Sequence, residues 1–583
     1  MKPLLLTSLG LLLGTSAFAQ HTNMPGMDMS MPMPAAKPKP KPATPTPRPK
    51  PKPKAASPAP APRPRPAAAT PADVPPPAPV PAMPGMDMPG MSMPAPAPAA
   101  APAATPPAQP APAMPGMSDH NMQGHEMQGH DMPGMNMDTS GSTSMAGMTA
   151  DSSGGMMMDM RNSFSKNLPM TRQGSGTSWH PDSSPMYMQM YQSKGWDVML
   201  MYSVFLRYTS QNFNHSELRG DANFRANTYV MGMANHLVGQ RGLFSIQAMV
   251  TADPLTVGGA GYPLLFQTGE SWKGEKLHDH QHPHDLISAL AVGYTYAASS
   301  DVDLTAYLGY PGEPAIGSPV FMHRPSAANL PAAPLGHHWQ DATHIQFGVA
   351  TLGVRYRNAK LEGSLFTGRE PNENRYSFDR PRFDSYSARL SVNPSDNLAL
   401  QVSAAHLKSP EELEPNDNVD RTTASVMHNT NVGKESILST TAVWGMNRHS
   451  GIGEETTYSN SFLLESNLQA NQFNLFTRLE TLQLNYDELL LPAPTDHDAH
   501  ANRQVAAFTL GASKYIAKTK AGWLDLGLTG TLNTYNTDNT ALLAAYGKNP
   551  LSFEVYLRFI APRMSMHMGH SGMKHGGMKG MKM

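Results

Sequence analysis

The sequence predicts an all-β protein, a transmembrane antiparallel β-barrel of about sixteen strands with a disordered Met/Pro-rich N-terminal arm and a Met/His-rich C-terminal tail. Three observations predict it. Segments of period-two alternation recur from Asp197 to Ile560, short and long connections between them alternate, and the composition changes abruptly on either side of that region.

The chain opens with Lys2, an apolar run from Leu4 to Leu13, and Ala17-Phe18-Ala19 before Gln20, the pattern of a cleaved secretory signal over residues 1–19. That run is too short to cross a bilayer as a helix, which takes about 20 residues. Cysteine is absent, so disulfides and thiolate metal sites are excluded, and soft-metal chemistry falls to methionine, of which there are 43. With 44 basic against 45 acidic side chains, nothing in the charge points to nucleic acid.

Residues 20–178 form the arm. Between Lys37 and Pro66 proline alternates with lysine, arginine, alanine or threonine, a composition that stays extended as polyproline II and serves as a spacer.

Residues 179–560 form the barrel. In the last strand Leu551, Phe553, Val555, Leu557 and Phe559 share one face, and Ser552, Glu554, Tyr556 and Arg558 the other. The preceding strand sets Leu524, Leu526, Leu528 and Leu532 against Asp525, Thr529, Thr531 and Asn533; Leu398, Leu400 and Val402 oppose Gln401 and Ser403. Such alternation gives a lipid face and a lumen face. Short connections at Asn393–Asp396, Val432–Glu435 and Ala470–Gln472 alternate with long ones at Thr251–Asp285 and Pro311–Ala342, as periplasmic turns alternate with extracellular loops. A soluble β-sandwich or periplasmic barrel is the alternative; it would turn the apolar face into a core.

Four Met-Pro-Gly-Met units punctuate the arm: Met24 to Met27, Met83 to Met86, Met114 to Met117 and Met132 to Met135. Met29, Met88 and Met137 extend them, and His120, Met122, His125, Met127 and His130 lie between the last two. Thioethers are soft, uncharged ligands suited to Cu(I) or Ag(I), and imidazoles add capacity for Cu(II). The tail, residues 561–583, repeats this chemistry with Met564, Met566, His567, Met568, His570, Met573 and His575. Core packing is the ordinary use of methionine. These stretches lack aliphatic partners and are cut by proline and glycine, so copper binding is the expectation.

On these motifs and this architecture the chain resembles the copper-resistance B family of outer-membrane proteins, which pair a Met/His-rich N-terminal segment with a C-terminal barrel. The resemblance implies copper tolerance, through sequestration in the periplasm or transfer across the outer membrane. The expected surroundings are outer-membrane lipid around the barrel, both arms in the periplasm, and a periplasmic copper carrier or oxidase as partner.

Inside the barrel region, His278, His280, His282 and His284 stand at alternate positions and would face one way if extended. Asp279 or Asp285 would support them from behind as a preorganised metal site, and a solvated loop is the alternative. His323, His337, His338, Asp341 and His344 lie in the next long loop, which would meet the first if both fold into the lumen. Two other readings stay open: a general or substrate-specific porin without a metal role, and a barrel-embedded metal-dependent hydrolase. No GxSxG or HExxH motif supports the hydrolase, and Ser271 and Ser288 have only proximity to recommend them.

Overall fold

The computed structural model describes residues 161–433, 435–451, 456–495 and 498–564, all within the compact unit Pro133–Met583. The leader, the arm motifs from Met24 to Met137 and the tail ligands from Met566 to His575 lie outside the described residues.

Sixteen antiparallel strands close the barrel. The first four are β1 (Trp196–Ser210), β2 (Ala222–Val238), β3 (Gly242–Val250) and β4 (Ile287–Ala297). Then come β5 (Val302–Gly309), β6 (Val349–Tyr356), β7 (Ala359–Phe366) and β8 (Ser385–Ser395). The second half holds β9 (Leu398–Lys408), β10 (Asn418–Asn431), β11 (Ile437–Ser450) and β12 (Thr457–Gln469). It ends with β13 (Phe473–Leu484), β14 (Arg503–Lys518), β15 (Trp523–Tyr535) and β16 (Leu551–Ile560). Closure runs from Phe553↔Ser210 to Ile560↔Ser203. The rest of that edge of β1 is taken by Gln189–Ser193, so both chain segments flanking the barrel meet at one end.

The predicted faces hold. Ser552, Glu554, Tyr556 and Arg558 are at most 5% exposed, whereas Leu526 and Leu528 on the neighbouring strand reach 50% and 55%. Inside, charges are paired: Arg207 with Glu554 at 2.8 Å, Arg558 with Asp525 at 2.8 Å, and Arg389 with Glu362 at 3.1 Å. Outside, leucine, valine and aromatic side chains alternate around the circumference. An apolar surface of this extent is unstable in water and matches a bilayer.

The turns at 239–241, 298–301, 357–358, 396–397, 470–472 and 519–522 are short and lie at the end where the chain enters. The opposite end carries the long connections, of which 251–286 and 310–348 fold inward. The first contains the hairpin Tyr262–Trp272 with Glu275–Gln281, the second the short helix His337–Gln340. A third inward segment precedes the barrel. Arg161–Ser178, assigned to the arm by composition, is ordered and largely buried. Ser175 donates to Glu313 at 3.1 Å, and Arg389 donates to Thr177 at 2.9 Å. Farther along, the side chain of Asn393 donates to the His180 carbonyl at 2.8 Å. The arm therefore ends before residue 161, because these polar and small residues are ordered by the charged lumen wall and by the loops inside it.

Candidate metal centre in the lumen

The two inward loops bring together five histidines. His282 and His284 follow the hairpin strand Glu275–Gln281; His337 and His338 open the short helix; His344 lies four residues past its end. All five are at most 7% exposed. The helix is anchored to the wall by Trp339, whose Nε1 donates to Ser459 at 2.7 Å, and by Asn447, which donates to the His338 carbonyl at 3.1 Å. Gly269 makes room for the cluster: its φ of +100° favours glycine, and a Cβ there would lie 2.5 Å from the His338 ring.

Each ring is held through Nδ1. His284 donates to Asp253 at 2.9 Å and His337 to Asp341 at 2.6 Å. Glu270 stands 3.1 Å from Nδ1 of His282, and Glu370 3.4 Å from that of His338. His344 donates to the Asp341 carbonyl at 3.0 Å. The carboxylates are fixed in turn. Arg324 bridges Asp341 at 2.6 Å and Glu465 at 2.8 Å, and Arg375 pairs with Glu270 and, at 3.4 Å, with Asp285.

The opposite nitrogen, Nε2, is buried without a hydrogen-bond partner in all five rings. An unpaired buried nitrogen costs about 1–3 kcal/mol, and this cluster gathers five of them. Ring centres are 5.3 Å apart for His337 and His344, 5.4 Å for His284 and His344, and 5.5 Å for His338 with both His282 and His337. A metal-nitrogen bond near 2.0–2.1 Å places tetrahedrally ligating rings roughly 5 Å apart. Among the described residues no three histidine or carboxylate donors close on one point. The rings are gathered and backed, but they do not converge on one point.

Burial, followed by the nearby Arg375, lowers the His282 pKa well below the ordinary histidine value. Burial also lowers His337, in spite of Asp341, and with His337 as the next cause it takes His344 well below. In all three rings the shift favours the neutral imidazole. His338 differs: burial lowers its pKa, but Glu370, Glu270 and Glu411 together outweigh burial and the net shift is upward.

Of the four alternating histidines, only His282 and His284 join the cluster. Asp279 adopts φ +56°, which breaks the extended run, and the strand stops at Gln281. His278 and His280 are half-buried and face Asp279 at 3.1 Å and Asp221 at 3.9 Å. Nor do Asp279 and Asp285 back the rings of the cluster. Asp279 accepts from the Phe266 N–H at 2.8 Å and from Tyr546, and Asp285 pairs with Arg375. Asp253, Glu270, Asp341 and Glu370 take that role, and only Asp341 carried a sequence signal, beside His337 and His338. Ser271 donates to Glu373 at 3.1 Å and Ser288 to the Asp285 carbonyl at 2.7 Å, so neither hydroxyl is held by an imidazole.

No protein-family model matches the chain. No curated protein sequence matches it either. Among solved structures it is similar to OmpF of Salmonella typhi in complex with daunomycin, with TM-score 0.40 and 10% identity over 64% of this chain and 100% of that one. It is also similar to an anion-selective porin from Comamonas acidovorans, with TM-score 0.37 and 11% identity over 63% and 99% of the two chains. The outer-membrane channel DcaP of Acinetobacter baumannii gives TM-score 0.36 and 8% identity over 64% and 99%.

Proposed function

We propose that this protein is an outer-membrane barrel that binds a transition-metal ion, copper foremost, at the lumen histidines, as part of tolerance to that metal. The observation that carries the reading is the set of five buried imidazoles whose Nδ1 atoms are engaged and whose Nε2 atoms are free. Metal-ligating histidines are held in this way by carboxylates and carbonyls behind them. Imidazole suits Cu(II) and Zn(II), and the thioether-rich arm and tail suit Cu(I) and Ag(I). Short turns face the periplasm in bacterial outer-membrane barrels. On that rule both arms extend into the periplasm, where they collect copper, alone or from a carrier or oxidase, and deliver it to the barrel.

A channel function rests on the same closed barrel and is the second reading. It is favoured by the position of the two inward loops, which narrow the lumen as constriction loops do. One experiment separates the two. Full-length protein and the variant His282→Ala/His337→Ala/His344→Ala are titrated with Cu(II) against a competing chelator and assayed for ion conductance in planar bilayers. Metal handling predicts loss of the tightest Cu(II) equivalent in the variant. A plain porin predicts equal Cu(II) binding and conductance in both proteins.

A further inference from the structure

A second cluster, chemically unlike the first, lines the lumen near the end where the chain enters. Its seven buried side chains are all methionine. Three other buried clusters of the protein contain leucine, phenylalanine, valine, alanine and other aromatic residues, and no methionine. A gap-filling role would scatter single methionines among aliphatic neighbours. Here, among the described residues, Tyr229 and Ala289 are the only hydrophobic side chains in the cluster that are not methionine.

The sheet register arranges them. Met199 of β1 is paired with Met190 on one side and with Met233 of β2 on the other. Two residues along, Met201 is paired with Met231, and Met231 with Met249 of β3. Directly paired residues hold their Cβ atoms about 4.5–5.5 Å apart. Two flexible thioethers at that spacing can reach a common ion. The result is two rows of three across neighbouring strands, on the inward face. Met170, Met186 and Met188, from the segment before β1, pack over the rows with Met322 and Met564.

The wall borders a cavity of about 120 Å³ whose lining takes one methionine from each row, Met201 and Met233, with Met186, Met188 and Met322; His180, His284 and His323 also line it. A water occupies about 30 Å³ of liquid, so the space admits an ion with part of its hydration. Thioethers bind soft cations without losing a proton and without a counter-charge.

We propose that this chamber is a separate site for a soft monovalent cation, Cu(I) or Ag(I), held by the sulfurs of the two methionine rows. The chamber and the histidine cluster meet at His284, whereas His282 and His337 do not line the chamber. The test uses full-length protein with Ag(I), and with Zn(II) as the comparison ion. Met199, Met201, Met231 and Met233 are replaced together by leucine, which keeps volume and apolarity, and heat-modifiable mobility checks the barrel.

The leucine variant is expected to lose at least one tightly held Ag(I) equivalent and to keep its Zn(II). His282→Ala/His337→Ala is expected to do the reverse, so failure of the histidine reading leaves this result intact. Undiminished Ag(I) in a folded leucine variant would overturn the proposal. Should the variant fail to fold, crystals of the unsubstituted protein soaked in Ag(I) decide the matter. An anomalous peak between the rows supports the site, and a bare chamber with silver bound elsewhere overturns it.

Discussion

Replacing Asp253 by asparagine isolates what the carboxylates do for the histidine cluster. Asp253 is 1% exposed; one oxygen accepts from His284 Nδ1 at 2.9 Å and the other from the Thr228 N–H at 3.0 Å. In Asp253→Asn the amide oxygen stays on Thr228, because turning the amide would set two N–H donors against each other. The NH2 group then faces His284 and donates to Nδ1. The ring's proton is forced onto Nε2, and the lone pair toward the cluster is lost, with no change in volume. Outer partners of ligating histidines contribute about 10- to 100-fold in metal affinity, or about 1.4–2.7 kcal/mol. The assay is Zn(II) titration against a chromophoric chelator, on a chain lacking residues 20–160 and 565–583 so that the arms do not compete. The cut stops at 160 because the residues that follow fill the lumen. The expected result is a 10- to 100-fold weaker Kd in Asp253→Asn and a larger loss in His284→Ala. Equal affinity in both variants and the unsubstituted chain would refute the reasoning and make the cluster structural.

Other outcomes follow from the same geometry. Leu528, 55% exposed in the middle of β15, lies on the lipid face, so Leu528→Arg is expected to destabilise the barrel in vesicles by about 2–4 kcal/mol; unchanged urea unfolding would exclude a lipid-facing position. Arg558→Met leaves Asp525 buried and unpaired and is expected to cost about 3–5 kcal/mol, read as a lower temperature for the shift in gel mobility. Adding Asp525→Leu should restore most of that loss. Gly269→Ala displaces the His338 ring and strains a left-handed backbone, so Zn(II) binding in the truncated chain should weaken about tenfold while the barrel keeps its heat-modifiable mobility, given an overpacking cost of about 1–3 kcal/mol.

The strands were legible because lipid and lumen impose opposite demands on successive residues, as Leu526 and Leu528 against Asp525 and Thr529 show. The lumen filling was not. Arg161–Ser178 is ordered by hydrogen bonds to distant residues and carries no periodicity, so composition assigned it to the arm. The histidine run misled in a different way: alternation implies one face only while the backbone stays extended, and Asp279 turns it at φ +56°. Asp253 and Glu270 reach the cluster from the loop at 251–286 and Glu370 from the connection between β7 and β8, pairings that no local pattern encodes. The methionine rows did carry a signal, Met199 with Met201 and Met231 with Met233 at strand spacing, which the denser motifs of the arm overshadowed.

The polar segment inside the barrel also constrains the order of assembly. Residues 161–184 precede the first strand, yet their partners include Asp303 on β5, Arg389 and Asn393 on β8, and Asn429 near the end of β10. The seam between β16 and β1 is the last ladder the chain can complete, since its two strands are the farthest apart in sequence. Once that seam is formed, a segment tied to the middle of the sheet has no lateral way in. Before the seam closes this N-terminal strap can enter from the side; afterwards it can enter only along the axis, from the end where the chain enters. A mutation that loosens the strap acts on the yield of closed barrels as well as on the finished protein.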